Sequence, residues 1–199
     1  MIHPIEAESY RILERRVDLS HLGHWSRAVV ERVIHASADP EYATSMRVDD
    51  ASVDAGVQAV RAGAPVLCDV EMVRHGIHGT HAECHLPSTD GNADITRSAL
   101  GMRAAAAQHP AGAIVVVGCA PTALDEVIHL AEHGAFLPAL VVGLPVGFVG
   151  AAESKAGLRA TGLRAISNVG EKGGSAVAAA AINALVRLAA DAAPEGNPS

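Results

Sequence analysis

The 199-residue chain has the length of one domain, and with 49% hydrophobic and 19% charged residues it is globular rather than disordered. Its 22 acidic and 15 basic residues give a formal net charge of −7, which disfavours nonspecific binding to nucleic acid or an anionic membrane. Aromatic residues make up only 3% of the chain, so a nucleic-acid platform of stacked rings is disfavoured and the core must be aliphatic.

The cellular compartment is indicated by what the chain contains and lacks. No apolar run reaches about 18 residues, so no membrane-spanning helix is expected. The first 16 residues carry three glutamates and no apolar core, unlike a signal peptide. Cys68, Cys84 and Cys119 are odd in number and form no CxxC pair, so we expect free thiols in the cytoplasm, with one disulfide as the alternative.

Apolar periodicity and helix-breaking residues predict the order of elements. The predicted helices are 5–16, 24–36, 51–62, 94–108, 122–133, 151–158 and 174–190, with a helical turn through Met72. The predicted strands are 65–69, 113–118, 139–143 and 164–167, and the polar stretch 74–92 is expected to be a loop or hairpin. Continuous Val/Ile/Leu strands alternating with helices indicate a three-layer α/β/α domain with a mostly parallel sheet over residues 1–190, followed by a flexible tail at 191–199.

The loops that follow the strands are the predicted ligand-binding region, because open α/β sheets bind ligands at the carboxyl ends of their strands. Asp69 ends the first predicted strand, and a glycine-rich turn, Gly170–Ser175, opens the last helix. The N–H groups of a helix N-terminus favour anionic groups, although these glycines could equally serve only to make tight turns.

Common chemical motifs are absent. The chain has no phosphate-binding G-x-x-x-x-G-K-[ST] loop, no G-x-G-x-x-G fingerprint and no G-x-S-x-G elbow. A string of metal-ligating types occurs at His75, His78, His81, Cys84 and His85, but its spacing fits no metal motif. We therefore expect solvated loop histidines and no metal site.

His35 lies at the end of the apolar helix predicted over 24–36. A histidine there commonly interacts with the helix dipole. Histidine is also the side chain best suited to proton transfer near neutral pH, so a catalytic role stays open on pattern alone.

Several short strings occur together in a specific order and spacing. They are Gly63-Ala64-Pro65, Cys68-Asp69, Glu71-Met72-Val73, Gly76-Ile77, Thr96-Arg97-Ser98-Ala99, Ala120-Pro121-Thr122-Ala123-Leu124, Pro145 through Lys155, and Lys172-Gly173-Gly174-Ser175. Each string is weak alone, but together they make the chain resemble the precorrin-8X methylmutase family of corrin biosynthesis from about Ile5 to Leu185.

The resemblance implies a flavodoxin-like fold, a homodimer with sites near the subunit interface, and no cofactor. It implies a [1,5]-sigmatropic shift of one methyl group from C-11 to C-12, which converts the tetrapyrrole precorrin-8X to hydrogenobyrinate. Such a shift needs a shaped pocket and an acid that protonates the ring system. The family's catalytic histidine, in an Ile/Val-His-Ala context, falls on His35, and histidine is a side chain suited to donating a proton at cellular pH.

The resemblance also implies substrate-binding residues. These are Ser9, Tyr10, Asp69, Thr96, Arg97, Lys172, Gly173, Gly174 and Ser175. Arg97 is expected to hold a substrate carboxylate bidentately, with a cap or salt bridge as the alternative. Asp69 is expected to touch substrate or to orient a backbone loop, and Lys172 with its glycines to bind a carboxylate or form a purely structural turn.

Three positions depart from the family pattern. Cys119 stands where asparagine is common, Glu171 where a basic residue is frequent, and Glu6 where some members have tyrosine. These departures affect details of substrate contact. Two alternatives remain open from the sequence: a corrinoid carrier without turnover, and a cobalt-containing substrate, cobalt-precorrin-8.

Overall fold

A computed structural model describes residues 3–88 and 95–191. Within these ranges the helices are α1 (Pro4–Arg16), α2 (His24–Ser37), α3 (Tyr42–Ser45), α4 (Asp50–Arg61), α5 (Glu71–Gly76), α6 (Arg97–Gln108), α7 (Pro121–Glu132), α8 (Ala151–Ala160) and α9 (Ser175–Asp191). The strands are β1 (Met46–Arg47), β2 (Val66–Cys68), β3 (Ala82–Cys84), β4 (Ile114–Val117), β5 (Leu140–Gly143) and β6 (Ala165–Asn168). None of these helices is long and apolar enough to cross a membrane. All but the first residue of the predicted tail, 191–199, lies outside the described residues.

The strands form one sheet in the spatial order β1-β6-β5-β4-β2-β3. Each neighbouring pair from β3 to β6 is parallel, whereas β1 pairs antiparallel with β6. Counted along the chain, the five parallel strands lie in the order 2-1-3-4-5, which is the flavodoxin-like order. The predicted mostly parallel, flavodoxin-like sheet is therefore confirmed.

Both faces of the sheet are covered, which explains why its central strands are apolar throughout. In β4, Ile114 and Val116 face a core shared with α2, α4, α5 and α9. Val115 and Val117 face the opposite core, which is shared with α6, α7 and α8. Helix α2 packs on α9, and α1 packs on α2. Helices α1 and α2 therefore lie on the outer side of the helical layer that contains α9. The predicted three-layer arrangement is confirmed, with these two helices added to it.

Small side chains bring α5 and the end of β4 close to α9. A Cβ atom added to Gly76 would lie 2.8 Å from the Cβ of Ala179. A Cβ atom added to Gly118 would lie 2.9 Å from the Cβ of Ala178. Because both glycines lack that atom, the alanine-rich α9 supports the carboxyl edge of the sheet at close range.

Three short elements depart from the sequence prediction. The stretch 74–92 contains β3, which pairs in parallel with β2 and forms no hairpin with it. All three of its residues are only half-buried, so its apolar signal is weak. Helix α3 and strand β1 have four and two residues, too few for a periodic pattern.

Candidate active site at the carboxyl edge of the sheet

The β2–α5, β4–α7 and β5–α8 loops meet at the carboxyl edge of the sheet. In the flavodoxin-like order the strand sequence reverses between β2 and β4, and ligands commonly bind at that point. Here the end of β2 carries Asp69, a carboxylate that is only 1% exposed. The contacts of this buried carboxylate therefore determine which groups remain available to a ligand at this edge.

The Asp69 carboxylate is occupied by backbone donors. Oδ1 accepts a hydrogen bond from the N–H of Gly118 at 3.1 Å. Oδ2 accepts from the N–H groups of Cys119 at 2.8 Å and Ala120 at 2.9 Å. Burial raises the pKa of Asp69, and these three donors act in the opposite direction. Asp69 thus orients the β4–α7 loop, the second of the two roles expected for it.

Lys155 is the second buried charge at this edge, and sequence reasoning assigned it no role. Its side chain is fully buried, and its Nζ donates to Asn168 Oδ1 at 2.9 Å and to the Lys172 carbonyl at 2.6 Å. Burial lowers the pKa of Lys155 to about 8. Helical periodicity could have revealed it, because Lys155 shares the buried stripe of α8 with Ala151 and Leu158.

The glycine-rich turn before α9 is packed against the β5–α8 loop. A Cβ atom on Gly173 would lie 2.3 Å from the Leu144 carbonyl oxygen, so only glycine fits there. Gly174 adopts a φ of 125° and donates its N–H to the same carbonyl at 2.9 Å. The predicted tight turn is present, and Ser175 begins α9 directly after it.

The Lys172 side chain points away from this turn. Its Nζ lies 2.6 Å from Asp39 Oδ2 and 2.7 Å from Glu41 Oε2. These carboxylates raise the pKa of Lys172, Asp39 being the larger influence. Because Asp39 follows the end of α2, the pair joins the glycine-rich turn to the helix that carries His35. The two carboxylates also offset much of the lysine's attraction for an anionic substrate.

His35 is held by two residues of α1. Its Nδ1 lies 2.8 Å from Ser9 Oγ, and its ring stacks on that of Tyr10 at 5.0 Å between centroids and 11° between planes. Ring stacking and the Ser9 contact fix the orientation of the imidazole. Among the described residues, Nε2 has no hydrogen-bond partner. The structure therefore brings the predicted Ser9, Tyr10 and His35 together and leaves one ring nitrogen available for chemistry.

Tyr10 is positioned in turn by a charged group. Arg32, one turn before His35 on α2, donates to the Tyr10 hydroxyl at 3.4 Å and to Glu6 Oε1 at 2.8 Å. Glu6 also lies 3.6 Å from Arg187 of α9. The departure at position 6 thus provides an ion pair that ties α1 to α2 and α9.

Thr96 and Arg97 lie at the same edge but on the opposite face of the sheet. Thr96 caps α6, its Oγ1 accepting from the Ala99 N–H at 3.3 Å, and it lies 2.7 Å from Thr122 Oγ1 at the start of α7. Arg97 is exposed in the first turn of α6. A single chain therefore does not gather all the predicted site residues into one pocket.

The cavities support the same conclusion. The cavity beside Ser9 and His35 measures about 110 Å³, well below the 300–1,000 Å³ of typical ligand pockets. A cleft of about 590 Å³ adjoins Thr96 and Thr122, and it is also lined by Asp125 and by Glu126, which is paired with Arg103. Neither of these two cavities joins His35 to Thr96.

The remaining departures from the family pattern act through the backbone. Cys119 contributes its N–H to Asp69, and its side chain is exposed. The Glu171 carbonyl accepts from the Gly147 N–H at 3.1 Å. Neither contact depends on the identity of the side chain.

The histidine string divides into two groups. His75, His78 and His81 are exposed, as expected for solvated loop histidines. For His85 the expectation is wrong, because its side chain is only 17% exposed and bonds to Glu83.

The buried Lys155 predicts a specific dependence of stability on pH. Its pKa is about 8 in the folded chain and about 10.4 when unfolded, so the folded state binds fewer protons between these values. Stability contributed at this position therefore rises with pH across that window. We expect the unfolding free energy of the wild type, minus that of Lys155→Met, to increase by roughly 2 kcal/mol from about pH 7.5 to about pH 10.

Urea unfolding of both proteins at each pH measures this difference, and titrations common to both cancel. Lys172→Met is the matched control. Because the exposed Lys172 has a raised pKa, the difference in unfolding free energy between the wild type and Lys172→Met should not rise over the same pH range. For Lys155→Met, a difference that stays flat or falls with pH would contradict the assignment.

Comparison with known proteins places these features in one family. A sequence model of the family described as precorrin-8X methylmutase matches residues 4–188. A cobalt-precorrin-8 methylmutase from Methanothermobacter thermautotrophicus is 46% identical over 178 residues, covering 87% of this chain and 86% of the relative. A precorrin-8X methylmutase from a Sinorhizobium species is 36% identical, covering 92% and 93% of the two chains.

A solved structure agrees with the sequence matches. The precorrin-8X methyl mutase from Thermus thermophilus superposes with a TM-score of 0.85 at 36% identity, over 97% of this chain and 98% of that one. The family match, over residues 4–188, includes every strand of the sheet described above. The chain belongs to the precorrin-8X methylmutase family.

Proposed function

We propose that this protein is an isomerase of corrin biosynthesis that moves one methyl group of precorrin-8X from C-11 to C-12 and releases hydrogenobyrinate. The observation that carries the proposal is the geometry of His35, with Nδ1 held by Ser9 and no described partner on Nε2. Membership of the family over residues 4–188 supports the same reaction.

The proposed mechanism needs only an acid and a shaped surface. The protonated His35 donates the Nε2 proton to a pyrrolic nitrogen, which withdraws electrons from the conjugated ring and favours migration. The bond from the methyl group to C-11 breaks as its bond to C-12 forms, and the pyrrolic nitrogen then returns its proton to His35 Nε2. Substrate and product are therefore isomers, and His35 is protonated again for the next turnover. Ser9 Oγ accepts the Nδ1–H of the imidazolium and keeps that proton in place after transfer.

The substrate carboxylates are proposed to bind at the same edge of the sheet. Arg97 offers a planar guanidinium suited to a carboxylate. The N–H groups at the start of α9, including that of Ser175, offer a second place through the helix dipole. Lys172 contributes less, because Asp39 and Glu41 already neutralise it.

We propose that the active protein is a homodimer in which the partner covers this edge. Phe148 and Val149, on the β5–α8 loop, are 89% and 88% exposed. Neighbouring exposed apolar residues of this kind mark interaction surfaces. A second subunit would also enclose the macrocycle, which the cavity beside His35 is too small to hold. The free thiols of Cys68, Cys84 and Cys119 support the reducing cytoplasm as the location.

A cobalt-containing substrate is the second candidate. The relative from Methanothermobacter thermautotrophicus, 46% identical, is named for cobalt-precorrin-8, whereas the Sinorhizobium relative named for precorrin-8X is 36% identical. Both substrates undergo the same migration, so the proposed role of His35 is the same for either.

Replacing His35 tests the proposed chemistry. We expect His35→Ala to lower kcat by about 10²- to 10⁴-fold, the usual contribution of a general acid, while product binding is retained. The measurement is the absorbance change on adding precorrin-8X or, in a parallel series, cobalt-precorrin-8. His24→Ala is the matched control, since His24 lies exposed at the other end of the same helix.

Near-normal turnover by His35→Ala would remove His35 from the mechanism. A wild-type protein that binds either substrate and leaves its spectrum static would instead indicate a corrinoid carrier.

Arg97 is expected to act in binding rather than in chemistry. Arg97→Gln should raise KM by about tenfold or more with a smaller change in kcat, because a lost carboxylate contact weakens ground and transition states alike. Arg103→Gln, two turns along α6 and paired with Glu126 at 2.7 Å, should leave KM unchanged. Equal KM values for both variants and the wild type would show that Arg97 does not hold substrate.

The proposed dimer predicts the mass of the protein in solution and the effect of a substitution at Phe148. Sedimentation velocity should give twice the chain mass of 20.4 kDa, and Phe148→Ser should shift the equilibrium toward the monomer. Leu137→Ser is the control, since Leu137 is 61% exposed but lies at the amino end of β5. A wild type that sediments as a monomer at all concentrations would rule the dimer out.

A further inference from the structure

A cluster of metal-ligating side chains lies apart from the proposed active site. Glu83 Oε2 is 2.9 Å from His85 Nε2 and 3.2 Å from His109 Nε2. The three ligand atoms all lie within 4.8 Å of one another. His109 follows α6 directly and Glu83 lies on β3, so the cluster joins residues that are 26 apart in the sequence.

The cluster is built on packed backbone rather than on a loose loop. Strand β3 is paired with β2, and Glu83 is in register with the buried Leu67. A Cβ atom on Gly101 of α6 would lie 3.2 Å from the His85 carbonyl oxygen, so α6 and the chain after β3 touch through their backbones. This contact fixes the separation between the strand that carries Glu83 and the helix that ends at His109.

The side chains are only partly accessible. Their exposed fractions are 24% for Glu83, 17% for His85 and 29% for His109. One carboxylate oxygen is shared by two imidazole nitrogens, and the hydrogen bond from His85 is the largest influence that lowers the pKa of Glu83. An ionised carboxylate flanked by two imidazoles is a donor set that zinc takes in proteins.

A fourth donor is within reach. His81 Nε2 lies 3.2 Å from the other carboxylate oxygen, Oε1, and its side chain is 79% exposed and can reorient. A tetrahedral ion with bonds of about 2.0–2.1 Å separates its ligand atoms by about 3.3 Å. The two Glu83–histidine distances already approach that value, so small side-chain rotations would admit the ion.

We propose that Glu83, His85 and His109, with His81 as the outer ligand, bind a divalent transition-metal ion, Zn²⁺ in the first place. Both Nε2 atoms then coordinate the ion through their lone pairs and no longer donate hydrogen bonds to Glu83. The ion cross-links the edge strand β3 to the end of α6, and its role is structural. This proposal replaces the expectation from sequence that the chain has no metal site, and it is independent of the proposed methyl migration.

The test is a titration of chelator-treated, full-length protein with Zn²⁺ in competition with a chromophoric chelator. We expect one tight equivalent per chain and a higher unfolding temperature when zinc is present, because an ion that binds only the folded state stabilises it. Co²⁺ in place of Zn²⁺ should give visible absorption of tetrahedral intensity.

Variants separate this cluster from other histidines. His85→Gln and His109→Gln should each weaken Zn²⁺ binding by at least about 100-fold and abolish the thermal shift. His129→Gln is the control, because His129, in the last turn of α7, and His133, directly after that helix, form an exposed pair that can also attract metal. Circular dichroism of the zinc-free variants establishes that they fold. If one of the two ligand variants fails to fold, the other still tests the proposal.

The outcomes decide the proposal. Tight binding that survives His129→Gln and is lost in both ligand variants supports it. Absence of tight binding in the wild type, or binding lost in His129→Gln and kept in His85→Gln, overturns it.

Discussion

The carboxyl edge of the sheet depends on one buried charge, the carboxylate of Asp69. It is 1% exposed and is stabilised by the N–H groups of Gly118, Cys119 and Ala120. A buried charge requires such compensation, so the β4–α7 loop has little freedom to take another shape. This carboxylate therefore fixes the loop at the edge of the sheet where the start of α9 and the exposed Phe148 and Val149 are also found.

Lys155 applies the same constraint to the other half of the edge. Its ammonium holds Asn168 and the Lys172 carbonyl, which places the turn before α9. Both anchors use backbone atoms of the loops they hold, so the loops tolerate changes such as Cys119 and Glu171 without losing shape. The shape of this edge can thus be kept while its exposed side chains vary.

Much of the fold was predictable because its signals are local. Continuous runs such as Ile114–Val117 predict buried parallel strands, and the periodicity of 24–36 predicts the helix that carries His35. Strand β3 was missed because it is short and half-buried at the edge of the sheet.

The site was less predictable because its contacts span long distances in sequence. The sequence pattern alone allowed two interpretations of His35, an interaction with the helix dipole or a role as a general acid. Only the family resemblance favoured the general acid. The Ser9 contact joins residues 26 apart, and Glu83 meets His109 across the same number. Spacing rules describe ligands within one element or motif, so they do not detect such pairs.

We infer that the corrin ring meets His35 at the carboxyl edge of the sheet. A structure of the protein with hydrogenobyrinate bound would decide this. We expect His35 Nε2 within hydrogen-bond distance of the ring system and product carboxylates at Arg97 and the start of α9. A product bound elsewhere, with His35 Nε2 out of reach of the ring, would refute this placement.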